Sequence, residues 1–458
     1  MIEEGFCVPN PFALLRPRAR LLFAALLLAG CAQPNVAVAP VEVQPEPQPQ
    51  PAATVPPQLV TPVPKPSPSP QRPLLQTPSD IARVALIVPL TGPGAAIGQD
   101  LVDAAQMALF DFVVPDIELR VYDSGGNAQV ARDAAVKARA DGTRLVLGPL
   151  FAEAVIGVSG VTRPAGIPVF AFSNDRRVAG NGIYVAGFSP EEHIDRVVAY
   201  AAKRGLGLFA ALMPDDGFGG RMASILSEVV ARRGGRVTET AFYKGGVDAT
   251  TETVRALARY NDRVRALEEE KRLVAEQHDP FSRRALERLE ARDTLGEVSF
   301  EALMLPVGGD EVMQIAPLLA FFDVDPMRVK LLGTWVWDDP SLGNEPAMLG
   351  AWFAAPPPAA RTLFVERFAE VYGRTPDRLS TLAYDAVALA AVLALRDTAD
   401  PYARVRLENP DGFAGVDGIF RLDETGAVER GLAVLEVQRG ASREIDPAPK
   451  SFVVPATR

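Results

Sequence analysis

Cysteine and histidine are almost missing from this 458-residue chain, which has two of each. His193 and His278 are far apart in sequence, so the usual nitrogen and sulfur ligands of a metal site cannot be gathered from them. A nucleophile–base pair has no histidine in a motif to draw on, and no catalytic residue is predicted. Excess positive charge is missing too. The net charge is −10 and the pI about 5.1, which removes the basic face that nucleic acid requires. What remains is ordinary for a protein with a sizeable core: 48% hydrophobic and 23% charged residues, with length for two or three domains.

The first thirty residues read as an address. Arg16, Arg18 and Arg20 precede the apolar run "LLFAALLLAGC", which is too short to span a bilayer and has the form of a secretory signal. Its ending "LAGC" resembles a lipobox, which makes Cys31 the predicted lipidation site and the first mature residue. Ala-Gln follows Cys31, a pattern that in bacterial lipoproteins implies export to the outer membrane, facing the periplasm. With Cys31 acylated, no cysteine is left for a disulfide. Residues 32–80 contain 15 prolines among 49 residues and no hydrophobic periodicity, so a disordered, extended spacer is expected. At about 3.1 Å per residue it would reach roughly 150 Å.

From residue 81 onward, strand-like and helix-like segments alternate. "RVALIVP", "IELRVYD", "RLVLGP" and "IPVFAF" are separated by helical patterns, and the rhythm restarts after Pro190. The prediction is an α/β protein with two successive Rossmann-like lobes and a cleft between them. Residues 249–295 are almost entirely helix-forming and predict a helical hairpin inserted in the second lobe, with acids and bases closely mixed. "LSTLAYDAVALAAVLAL" is apolar nearly all round and belongs inside. "GIFRLDETGAVERGLAVLEVQ" predicts a closing β-hairpin, turning near Glu424 to Gly426. The expected division is 81–188 and 332–408 for the first lobe, 189–331 and 409–440 for the second, and 441–458 as a tail.

Gly92, Gly94 and Gly98 lie close to a dinucleotide fingerprint, and Asp123 ends the next strand where a ribose-binding acid would stand. Against that reading, Leu90 and Thr91 lengthen the turn, Pro93 removes a backbone donor and no Walker lysine follows. No cofactor is predicted; Thr91 and Gly92 are read as the rim of the cleft.

The segments "VALIVPLTGPGAAIGQDLVDAAQMALFD", "LVLGPL", "IPVFAFSND", "YDAVALAA" and "DGIFRLDETGAVERGLAVLEV" together resemble the type I periplasmic-binding-protein fold over residues 81–440. Within that superfamily, "LAFFDVDPMRVKLLGTWVWDDPSLGNEPAMLGAWFAAPPPAARTLFVERFAEVYG" resembles the penicillin-binding-protein activator lipoproteins. That resemblance implies a non-catalytic outer-membrane lipoprotein that binds and stimulates a bifunctional penicillin-binding protein, a peptidoglycan synthase. Larger members carry a helical-repeat domain where this chain has its proline-rich segment. The alternative is a solute-binding lipoprotein that delivers an amino acid or another small polar ligand to a transporter. Amino-acid-binding relatives grip the ligand with hydroxyls and backbone amides after the third and fourth strands. Here the first of those loops carries Phe151 and Glu153, whose carboxylate would repel a ligand carboxylate. The second carries Ser173 and Asn174, read either as ligand donors or as a turn and cap. Asp216, after "LGLFAALMP", completes the predicted cleft together with Trp335 and Trp337, on one face of a strand by alternation, which are read either as an aromatic pair for a sugar or a protein partner or as closing the core between the lobes.

Overall fold

Long apolar runs become strands buried on both faces, as in a parallel sheet whose crossovers are helices. The computed structural model describes residues 81–112, 117–396 and 399–452. The predicted signal, Cys31 and the proline-rich segment lie outside the described residues.

The first lobe begins with β1 (Ala82–Val88), α1 (Ala95–Phe112), β2 (Ile117–Asp123), α2 (Ala128–Ala140), β3 (Leu145–Leu147), α3 (Ala152–Ala165), β4 (Val169–Ala171) and β5 (Ile183–Val185). Its sheet is parallel, in the order β2-β1-β3-β4-β5. The second lobe runs through α4 (Pro190–Lys203), β6 (Leu208–Pro214), α5 (Gly217–Arg232), β7 (Arg236–Tyr243), α6 (Val247–Leu257), α7 (Tyr260–Ala275), α8 (Pro280–Glu290), β8 (Ala302–Met304), α9 (Gly309–Phe321), β9 (Lys330–Gly333) and β10 (Trp352–Ala355). Then α10 (Pro358–Tyr372), α11 (Ser380–Arg396), α12 (Arg404–Leu407), β11 (Phe413–Gly415), β12 (Gly418–Leu422) and β13 (Val428–Arg430) follow, and β14 (Ala433–Gln438) and β15 (Ala441–Asp446) close the chain. The second sheet has the order β15-β14-β10-β9-β8-β6-β7, while β11, β12 and β13 form a small antiparallel sheet. Two doubly wound lobes result, as expected.

Each sheet is covered on both faces. In the first lobe, Leu101, Ala105 and Ala108 of α1 meet Phe364 and Phe368 of α10 and Leu382, Ala386 and Leu393 of α11 on one side. Ala131, Ala135, Val155 and Val158 of α2 and α3 cover the other. In the second lobe, Val254, Val312 and Ile315 face one side, and Val197, Leu226 and Val230 the other.

The lobe boundaries differ from the expectation. Residues 332–357 do not return to the first lobe, because β9 pairs with β8 and β10 with β9 in the second sheet. Residues 409–430 belong with the first lobe, where Phe420, Leu422 and Val428 enter its core; only β14 joins the second sheet. The predicted tail includes β15, paired with β14. An apolar run states that a strand is buried, not which sheet it joins. The chain therefore crosses between lobes at 186–189, 356–357 and 431–432.

The insertion is also different: three helices replace a two-helix hairpin. α6 packs on its own sheet, and the chain kinks at Arg259, whose φ is +48°. A left-handed conformation at a non-glycine residue needs outside support. Four residues later, Arg263 supplies it, bonding to the Asp323 carboxylate at 2.8 Å and to the carbonyls of Gly296 and Asp323 at 3.0 and 3.2 Å.

Candidate functional site

In a doubly wound sheet the ligand crevice opens at the carboxyl ends of strands where the order reverses. In the first lobe that point lies between β1 and β3. The glycine-rich turn after β1 sits there, with Gly92 and Gly94 at φ +71° and +79°, and Gly98 is forced by the chain itself: a Cβ there would come within 1.6 Å of the Pro89 carbonyl oxygen.

Asp123 occupies the position of a ribose-binding acid and is fully used by the protein. Its carboxylate accepts the backbone N–H groups of Leu90, Thr91 and Gly125 at 2.8, 3.2 and 2.7 Å, and the Thr91 hydroxyl at 2.5 Å. Partial burial would raise its pKa, but these four donors outweigh burial and hold the carboxyl below its usual range. Asp123 is a brace for the turn, and Thr91 is its partner. Phe151 lies over the same turn, its ring 2.8 Å from the point a Cβ on Gly94 would occupy and 3.5 Å from that on Gly126. Glu153 is exposed in the first turn of α3, where a carboxylate suits the helix dipole. It is the one candidate that lines any of five surface cavities, and that cavity lies between α3 and the 175–178 turn.

Ser173 is buried, and its hydroxyl accepts the Asp175 N–H at 3.2 Å, so it shapes a turn. Asn174 is exposed. Across the cleft, Asp216 caps α5 by accepting the Gly219 N–H at 2.8 Å.

The tryptophans do not share a face. β9 ends at Gly333, and residues 335–337 form a single 3₁₀ turn, so strand alternation does not apply. Trp337 is 0% exposed; its indole N–H donates to the Val307 carbonyl at 2.7 Å and its ring fills the space of a Gly333 side chain. Trp335 turns to the other lobe and meets Phe188 at 5.1 Å between ring centres.

The residues that converge most densely lie at the crossings and were not predicted. Phe188, in the first crossing, is flanked by the guanidinium groups of Arg378 at 4.5 Å and Arg430 at 5.3 Å. Arg378 bonds to Asp417 at 2.9 Å, and the Thr381 hydroxyl donates to the same carboxylate at 2.6 Å. Arg430 donates to the Ala186 carbonyl at 2.8 Å, tying the third crossing to the first. Arg361 of α10, just past the second crossing, bonds to Asp338 at 2.7 Å, and Arg176 of the first lobe reaches Glu192 of α4 at 2.5 Å. Asp385, alone in the apolar α11, accepts the Val416 N–H at 2.7 Å.

Burial sets the chemistry of this cluster. It raises the Asp385 carboxyl, helped by repulsion from Asp417. It would raise Asp417 as well, but Arg378 and Arg430 prevail and that carboxyl is lowered. Burial lifts Glu192 to about 7 despite Arg176 and lowers His193 to about 4, with Arg378 and Arg430 adding to the effect on the histidine. His193 Nδ1 lies 2.7 Å from the Ser189 carbonyl, so Nδ1 carries the proton of the neutral ring. The sequence did hold one signal, the lone acid Asp385 in an apolar helix, but its neighbours come from 30 and more residues away.

Among the described residues no group of acids, histidines or cysteines could hold a metal ion, and no helix is long and apolar enough to cross a membrane. Comparison with known proteins adds the family. The periplasmic binding protein family model matches residues 82–442. An uncharacterised protein of Rickettsia prowazekii is 25% identical over 179 residues, 39% of this chain and 48% of the relative, so the match spans about half that protein's length. A branched-chain amino acid ABC transporter protein from Rhodospirillum rubrum superposes with a TM-score of 0.63 at 20% identity, over 80% of this chain and 100% of that one. The C-domain of LpoA from Haemophilus influenzae, described as a regulator of PBP1A, superposes at 0.55 and 17% identity, over 80% and 100%. At such identities these structures share the fold and nothing finer. This chain belongs to the periplasmic binding protein family.

Proposed function

We propose that this protein is a non-catalytic, lipid-anchored outer-membrane protein, facing the periplasm, that binds a bifunctional penicillin-binding protein and activates peptidoglycan synthesis. The observation that supports this reading is that the cleft groups are engaged within the protein, Thr91 as a donor and Ser173 and Asp216 as acceptors. Thr91 is bound to Asp123, Ser173 to Asp175 and Asp216 to Gly219, while the Phe151 ring covers Gly94 and Gly126. A carrier of amino acids needs hydroxyls and amides free to meet a carboxylate and an ammonium. Activation of a synthase would then follow from tighter binding to its active conformation. Cys31 would hold the head to the membrane, with the proline-rich segment as its tether.

The test is in-cell crosslinking of the full-length lipoprotein with mass-spectrometric identification of what is captured. Capture of a bifunctional transpeptidase/glycosyltransferase is the expected result; capture of a permease without a synthase would overturn the reading. Solute binding is the second reading. It is favoured by the exposed Asn174 at the rim and by the shared fold of the Rhodospirillum rubrum protein.

A further inference from the structure

The two inserted helices carry similar residues and use them differently. On α7 and at its start, every cation has an acidic partner: Arg259 and Arg265 with Asp262, Arg263 with Asp323, Lys271 with Glu268 and Arg272 with Glu269. On α8, Arg283, Arg284 and Arg288 are exposed and, among the described residues, none has an ion-pair partner; the same holds for Arg292 just beyond its end. Arg288 donates only to the Arg284 carbonyl, at 3.2 Å. Phe281, in the first turn, is 81% exposed.

Spacings of three and four residues bring Phe281, Arg284 and Arg288 onto one face of α8. Glu287 and Glu290 fall on the neighbouring flank with Arg283, and Ser282, Leu286 and Leu289 turn inward. The two ends of the insertion meet at Asp323, which accepts from Arg263 of α7 and from the Thr294 hydroxyl beyond α8. A helix that keeps two unpaired guanidinium groups beside a bare aromatic ring, in a chain of net charge −10, is built for a counterpart it does not itself contain.

The geometry points to this face of α8 as the docking surface for an acidic protein partner, one that offers two carboxylates about 6 Å apart beside an apolar pocket for Phe281. The guanidinium fork matches carboxylates in a directional way. An anionic membrane is the poorer fit: it responds to summed charge, and Glu287, Glu290 and Asp293 nearly cancel the four arginines. The proposal rests on the reading of the chain as a partner-binding protein and gives that reading its contact.

The experiment uses the full-length lipoprotein in cells. A photocrosslinking residue replaces Phe281, and capture is compared in Arg284→Glu/Arg288→Glu, Arg284→Ala/Arg288→Ala and the control Arg439→Glu, an exposed arginine elsewhere on the head. Thermal unfolding checks that each variant is folded. The expected result is a Phe281 adduct on an aspartate- or glutamate-rich segment of the synthase. The double reversal should weaken capture by about thirtyfold, the alanine pair less, and the control not at all. Equal capture of the synthase by wild type and double reversal would overturn the docking surface and leave the activator reading standing. An adduct on an acidic segment of a different protein, lost on reversal, would support the surface and overturn the activator reading. Binding to phosphatidylglycerol vesicles that reversal abolishes, with no protein adduct, would overturn the proposal in favour of lipid.

Discussion

The crossings between the lobes and the inserted helices are the two places where arginine and acid gather, and the solvent around them decides what they do. At the crossings, Asp417 is 0% exposed and faces Arg378, with Arg430 close enough to lower its pKa. Removing one partner there strands the others in a medium where charge is costly. On α7 the same types of side chain pair within one helix turn, in water, where each pair contributes little. Buried charge ties the lobe crossings together; exposed charge on α7 stays in solvent and adds little to stability.

The largest effect expected from breaking this comparison is at Asp417. Asp417→Ala removes the carboxylate bonded to Arg378 and nearest in charge to Arg430, and should cost about 3–5 kcal/mol in denaturant-induced unfolding. Next comes acid. The His193 pKa is held at about 4, against 6.5 for the free side chain, so the unfolded state takes up a proton first. His193 therefore contributes stability that is present above pH 6.5 and is lost as pH falls toward 4, about 3 kcal/mol in all. Glu192 has the opposite sign: raised to about 7, it makes stability fall as pH climbs from its free value of 4.5 toward 7. In unfolding curves across pH 4–7, His193→Phe should flatten the acid loss, and Glu192→Gln should flatten the decline toward neutrality.

Arg263→Ala tests the anchor of the inserted helices on the second lobe. It should cost about 2 kcal/mol and raise hydrogen exchange over 260–295 more than elsewhere. The smallest effect is expected on α7, where Arg272→Ala should leave the unfolding midpoint unchanged because its pair with Glu269 is exposed. A large loss there would erase the distinction between the two regions.

Much of this fold was legible in the chain. Periodicity located β1, α1 and the buried α11, because a central parallel strand and an interior helix both need unbroken apolar character. Sheet membership was not legible: β9 and β10 read as generic buried strands, and only their pairing places them in the second lobe. The kink at Arg259 was hidden because no glycine or proline marks it. At the cleft, Asp123 is legible as an acid at a strand end, but its partners Leu90 and Thr91 lie 33 and 32 residues away, and only the fold brings them together. Trp335 and Trp337 part for a local reason: the strand ends at Gly333, so alternation no longer governs the residues beyond it.

If the cleft loops serve the protein itself and recognition falls to its surface, the cleft should take no small solute. Thermal unfolding of the full-length protein, titrated separately with each amino acid and with small aromatic acids, tests it most directly. A ligand that binds only the folded state must raise the midpoint saturably, by about 2.7 kcal/mol of stability at a hundredfold excess over its Kd. No saturable rise is expected with any of them. A saturable rise that Asn174→Ala removes would contradict it and make the cleft a solute site.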